Sequence, residues 1–128
     1  MANRKLDKYG LQVYHNAVKT ECVTATHDGA SVTWTGSLDA SALITGKQIL
    51  YTLTNGNVAG QTTLELTFPG GTTTGPIGLR TTFGETTIPV YPPGSRIYLL
   101  YDGTYWVIMQ YVIAITNSDI DDATHTSV

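Results

Sequence analysis

The stretch SRIYLLYDGTYWVIMQYV, residues 95–112, constrains the fold more than any other part of the chain. Two runs of β-branched and aromatic residues flank Asp102-Gly103, a dipeptide that favours a tight hairpin turn. With a two-residue turn, Leu99 faces Trp106 and Ile97 faces Ile108 on one side. Leu100 then pairs with Tyr105, and Tyr98 with Val107, on the other. Both faces are therefore apolar or aromatic. A strand pair with no polar face needs cover on both sides, which suits the centre of a sandwich or barrel, or a subunit interface. VYPPGS, 90–95, delivers the chain into this hairpin as a rigid turn, because proline cannot donate to a ladder.

Other segments show the same period of two. SVTWTG (31–36) sets Val32 and Trp34 on one side. GKQILYTLT (46–54) sets Ile49, Tyr51 and Leu53 on one face and Leu50 on the other. QTTLELTF (61–68) directs Leu64, Leu66 and Phe68 inward, and Thr63, Glu65 and Thr67 outward. Such alternation predicts half-buried antiparallel strands. NGN (55–57) and PGGTTTGP (69–76) are turn chemistry, where glycine supplies positive φ. The expected fold class is mainly β: an antiparallel, jelly-roll-like β-sandwich over 21–113.

Before it, KLDKYGLQVYHNAVKT (5–20) reads as a short amphipathic α-helix, so residues 1–20 form an expected anchoring or oligomerisation unit. Asp7 can cap the first turn, with Leu6 and Leu11 placed as a hydrophobic staple. Leu11, Tyr14 and Val18 recur on one face, and Lys19 complements the C-terminal dipole. Gly10 weakens the first turns by about 1 kcal/mol relative to alanine. So short a helix is marginal alone and needs a partner surface, either its own β domain or a neighbouring chain. At the other end, ITNSDIDDATHTSV opens with a capping pattern from Ser118 to Asp121, so 114–128 is expected as a short helix or extended tail.

The length of 128 residues fits one domain with a real core. Charged residues are 13% of the chain, about half the usual quarter, and the formal net charge is −3. No basic stripe is present, which argues against a nucleic-acid partner. A surface so little defended by charge fits a component of an assembly. Cys22 stands alone, so no intrachain disulfide forms. MANRKLDKYG lacks the apolar core of a signal peptide, and no stretch approaches the roughly 18 apolar residues of a membrane span. The chain is expected to be made in a cytoplasm and to stay soluble.

Catalytic chemistry finds little support. His15, His27 and His125 are scattered, and no nucleophile elbow occurs. TGKQ (45–48) lacks the flanking glycine and Ser/Thr of a phosphate loop. Cys22 and His27 would give two zinc ligands without a second pair. DIDD (119–122) lacks the glycine and terminal glutamate of a calcium loop. We therefore expect no enzyme, cofactor or metal site. The eight tyrosines and two tryptophans fit cross-strand packing or stacking on sugar rings, with Tyr91, Tyr101 and Tyr111 as candidate ligand contacts.

Two segments carry a family resemblance. KLDKYGLQVYHNAVK resembles a helix that recurs in tail-fibre and appendage proteins of tailed phages of gut bacteria, crAss-like phages among them. Residues 43–108 resemble the β domain that follows it, through the Gly-Lys strand start, TLELTF with its glycine-rich turn, the Pro-Gly approach and the Asp-Gly hairpin ending in Trp. ITNSDIDD is similar to a short motif near such chain ends. The resemblance implies a virion structural protein, commonly trimeric, although this sequence departs from long fibres in showing no shaft repeats. It would be a tail fibre, head fibre, capsid decoration protein or tail adaptor, with other virion proteins as partners and a host-surface glycan as the alternative ligand. In such an assembly the helix is expected to supply trimer or anchor contacts through Leu6, Leu11, Tyr14 and Val18. Core or interface contacts would come from Ile97, Tyr98, Leu99, Tyr105, Trp106 and Ile108. The resemblance carries no catalytic residues.

Overall fold

The structure is a computed structural model and describes residues 19–113. The expected helix, with Leu6, Leu11, Tyr14 and Val18, and the expected tail of 114–128 lie outside the described residues. Within them the chain is mainly β. Nine strands run in order: β1 (Glu21–Thr24), β2 (Thr33–Ser37), β3 (Gln48–Leu53), β4 (Gly60–Gln61), β5 (Thr63–Thr67), β6 (Ile77–Arg80), β7 (Thr87–Ile88), β8 (Ser95–Tyr101) and β9 (Trp106–Val112). Seven form one sheet in the order β1-β3-β8-β9-β6-β5-β2, and β4 pairs with β7 apart from it.

The sheet curls until its two edge strands nearly meet. Just beyond β1, the Thr26 amide donates to the Thr35 carbonyl of β2 at 3.0 Å. Their hydroxyls share a second bond at 2.6 Å. Gly36 permits this approach, since a Cβ there would lie 2.6 Å from Val23 Cγ1. The result is a nearly closed barrel.

The antiparallel, jelly-roll-like sandwich expected from the sequence is corrected in two respects. One sheet wraps on itself in place of two stacked sheets, and the pairs β1–β3, β2–β5 and β6–β9 are parallel. Alternation reports that one face of a strand is buried; it carries no record of a neighbour's direction or of how the sheet closes. The faces themselves follow the pattern. Ile49, Tyr51, Leu53, Leu64 and Leu66 are fully buried, together with Trp34, Leu79, Ile97 and Trp106. Each such aliphatic side chain contributes about 1.5–3 kcal/mol relative to exposure. Val32, expected beside Trp34, precedes β2 and is exposed, whereas Phe68 is half-buried against the core.

At the heart of the barrel the Trp34 and Tyr51 rings stack at 5.4 Å between centroids, within 1° of parallel, and His27 lies against Trp34 at 6.0 Å. The Tyr51 hydroxyl donates to the Thr35 carbonyl at 2.8 Å. Burial pushes the Tyr51 phenol well above its ordinary pKa. Burial likewise lowers His27, outweighing the Gly56 backbone and Asp28, and favours the neutral ring.

One end of the barrel is fastened by a buried ion pair. Lys47 Nζ donates to Glu21 Oε2 at 2.8 Å and to the Lys19 carbonyl at 2.7 Å. The Glu21 carboxylate also accepts the amides of Asp39 at 2.7 Å and Ala40 at 3.1 Å. Burial pushes the Glu21 carboxyl up, but the hydrogen bond and charge of Lys47, with the two amides, outweigh it and hold its pKa below the ordinary value. These bonds tie the start of β1 to the loop after β2 and the entry to β3.

Candidate interaction surface

The hairpin that dominates the sequence forms β8 and β9, but its turn holds four residues where two were expected. Tyr101 pairs with Trp106, Leu100 with Val107 and Leu99 with Ile108. The reason is the Asp102 side chain, whose Oδ1 accepts the amides of Thr104 and Tyr105, each at 2.8 Å. Gly103 takes φ +102° in the same turn. A slip of two residues preserves parity, so Leu99, Trp106 and Ile108 still face inward. Tyr105 is drawn into the turn and does not pair with Leu100. A bulge then skips Met109, and Tyr98 meets Gln110 in place of Val107.

The inner face of the hairpin is core, as expected. Among the described residues nothing covers the outer face. Across four strands it presents Cys22 and Thr24 from β1, Gln48, Leu50 and Thr52 from β3, and Arg96, Tyr98 and Leu100 from β8. Val107, Met109, Gln110 and Val112 follow from β9. Arg96 is the one charged residue among these positions. Tyr98, Met109 and Val112 are well exposed, and Leu50, Leu100 and Val107 are half-buried. Gln48, Tyr98, Leu100, Met109 and Gln110 surround an open hollow of about 360 Å³.

Beside β9 the turn that follows β6 carries Phe83 at its tip, 91% exposed. The turn is well tied. The Thr81 amide donates to the Glu85 carbonyl at 3.0 Å, and the Gly84 amide to the Thr81 carbonyl at 2.9 Å. The Glu85 amide donates to Thr81 Oγ1 at 3.1 Å. Thr82 Oγ1 pins the loop to β9 by donating to the Ile108 carbonyl at 2.6 Å. Behind Phe83, a second open cleft of about 340 Å³ is lined by Pro89, Tyr91, Ile108 and Tyr111. Met109 and Gln110 border both recesses, so the two are adjacent.

The candidate contacts read from the sequence separate clearly. Ile97, Leu99, Trp106 and Ile108 are buried in the core, while Tyr98 points outward over the hollow. Tyr105 lies beneath the Arg80 guanidinium, 3.8 Å from the ring centroid. Tyr91 and Tyr111 come together edge to face at 4.9 Å, with Tyr91 buried and Tyr111 half exposed. Burial and the neighbouring Tyr111 push the Tyr91 phenol up. Tyr101 is at the opposite end of the hairpin, where its hydroxyl donates to the Gly103 carbonyl. Cys22 points out of the sheet, and His27 lies in the core. Glu65 Oε2 accepts from Thr73 Oγ1 at 2.7 Å.

Sequence reasoning passed over Phe83, Val90 and Met109, all strongly exposed apolar residues. A signal for Phe83 was present: one large aromatic in TTFGE, where polar neighbours and a glycine mark a turn. No protein-family model matches this chain, and no curated protein or solved structure matches it significantly.

Proposed function

We propose that this protein is a non-enzymatic structural component of a tailed-phage virion, a fibre or decoration protein on the head or tail. It acts by assembling into a homotrimer and attaching to the particle. The order of motifs that resembles phage appendage proteins suggests the setting. The observation that carries the reading is the outer sheet face: four strands wide, rich in apolar side chains and bearing a single charge, Arg96. Isolated surface hydrophobics are ordinary, but a continuous field of them is a feature of surfaces that bind other proteins. The amphipathic segment 5–20 joins this β domain as the anchor or oligomer contact, through Leu6, Leu11, Tyr14 and Val18.

Sedimentation of the full-length protein, with a density map of the whole particle, tests this reading. A trimer whose density fits on the head or tail surface is expected. A solitary monomer with no position on the particle would refute it. The Tyr91–Tyr111 pair favours a second reading, a module that binds a host-surface glycan, since an exposed aromatic edge over an open cleft suits a sugar ring. A glycan array separates the two, because a purely structural part binds none of its sugars.

A further inference from the structure

The outer face pairs a hollow with a projecting knob, and both belong to one chain. The hollow over β8 and β9 is bordered by Tyr98, Leu100 and Met109, with Arg96 as the only charge on its face. The knob is Phe83, held out on a turn whose only charge is Glu85, two residues further on. Five hydrogen bonds fix that turn and tie it to β9, a long one of 3.4 Å from Thr81 Oγ1 to the Glu85 carboxylate among them, so Phe83 is presented and does not collapse onto its own sheet. We infer that these features meet between copies: Phe83 of one copy seats in the hollow of the next, and Glu85 of the first faces Arg96 of the second.

The occupant follows from complementarity of shape and sign. A partner filling this hollow must bring an apolar anchor, and a carboxylate near it to answer Arg96. This chain carries both on one five-residue turn. An aromatic side chain entering a recess is the usual form of a dominant contact, and a charge pair beside it, with Arg96 two residues from Tyr98 on β8, fixes register more than strength. Knob and hollow can be exchanged reciprocally across a twofold axis or joined head-to-tail, and three head-to-tail contacts can close a ring. This deepens the trimeric reading proposed above and rests on it for the number three.

The test is sedimentation velocity on the full-length protein across a concentration series. Four variants are compared with it: Phe83→Ser, Glu85→Arg, Arg96→Glu and the Glu85→Arg/Arg96→Glu double. Phe83 is almost wholly exposed in the single chain, so Phe83→Ser should melt like the wild type while its dissociation constant rises on the order of thirtyfold. Each single charge reversal should weaken association roughly three- to tenfold, and the double should recover most of that loss. Recovery distinguishes a contact between copies from general surface stickiness. Association unchanged in Phe83→Ser, or a double variant no better than the singles, overturns the contact. A dimer with the same dependence on Phe83 upholds the contact and overturns the threefold reading. A trimer indifferent to Phe83 does the reverse.

Discussion

Replacing Lys47 by methionine removes the cation from the most deeply buried ion pair among the described residues. Its side chain is fully buried and that of Glu21 nearly so. The change keeps side-chain length but leaves the Glu21 carboxylate with only the Asp39 and Ala40 amides, and leaves the Lys19 carbonyl without its ammonium donor. Breaking a buried pair in this way costs about 3–5 kcal/mol, a large share of the roughly 5–15 kcal/mol that stabilises a domain. The pH dependence supplies a second criterion. In the wild type the Glu21 pKa lies below its ordinary 4.5, so the unfolded state binds its proton first as pH falls. The stabilisation is complete above that value and is lost as pH drops through the folded pKa. In Lys47→Met, burial is opposed only by the Asp39 and Ala40 amides, so the carboxyl lies higher than in the wild type. The variant's deficit should then shrink in acid, where a neutral Glu21 needs no partner. Urea unfolding followed by the fluorescence of the buried Trp34 and Trp106, at neutral pH and at about pH 3.5, measures both effects. A loss below about 1 kcal/mol at neutral pH, or a deficit that does not narrow in acid, would refute the reasoning.

Gly36→Val places side-chain atoms where Val23 Cγ1 already sits 2.6 Å from a Cβ, so it should force the barrel edges apart and cost about 1–3 kcal/mol in urea unfolding. Tyr51 should stay protonated in an alkaline spectrophotometric titration while exposed tyrosines ionise. Its folded pKa is raised above 10, so its contribution to stability is intact below that pH and declines above it. Asp102→Ala removes the acceptor for two turn amides and should lower Tm, whereas Asp102→Asn, which retains an oxygen there, should lower it less.

What was legible in the sequence was what local periodicity encodes. The inward sets Ile49-Tyr51-Leu53 and Leu64-Leu66 were read correctly, because a residue's side of a strand depends only on its parity. The hairpin was found for the same reason, and its inward residues survived a two-residue error in register. That error arose because Asp102 captures two backbone amides with its own carboxylate, an option a dipeptide preference does not weigh. Direction of pairing was not legible, since β2 lies beside β5 only through the path of the chain between them. The Glu21–Lys47 pair was equally hidden: two charges 26 residues apart meet only once β1 lies along β3. As for the candidate surface, the outer residues of the hairpin were identified as apolar, but Phe83 belongs to a turn without periodicity and drew no notice.

The seam between β1 and β2 has a consequence for crowding. Hydroxyl and backbone bonds from Thr26 to Thr35 narrow the border where a curved sheet would otherwise offer unpaired amides and carbonyls. Exposed borders of that kind recruit strands from other molecules and seed fibrous aggregates. With this one nearly closed, copies held side by side find little free strand edge there to add to. Resistance to strand addition at this border is then a property of the barrel's near-closure.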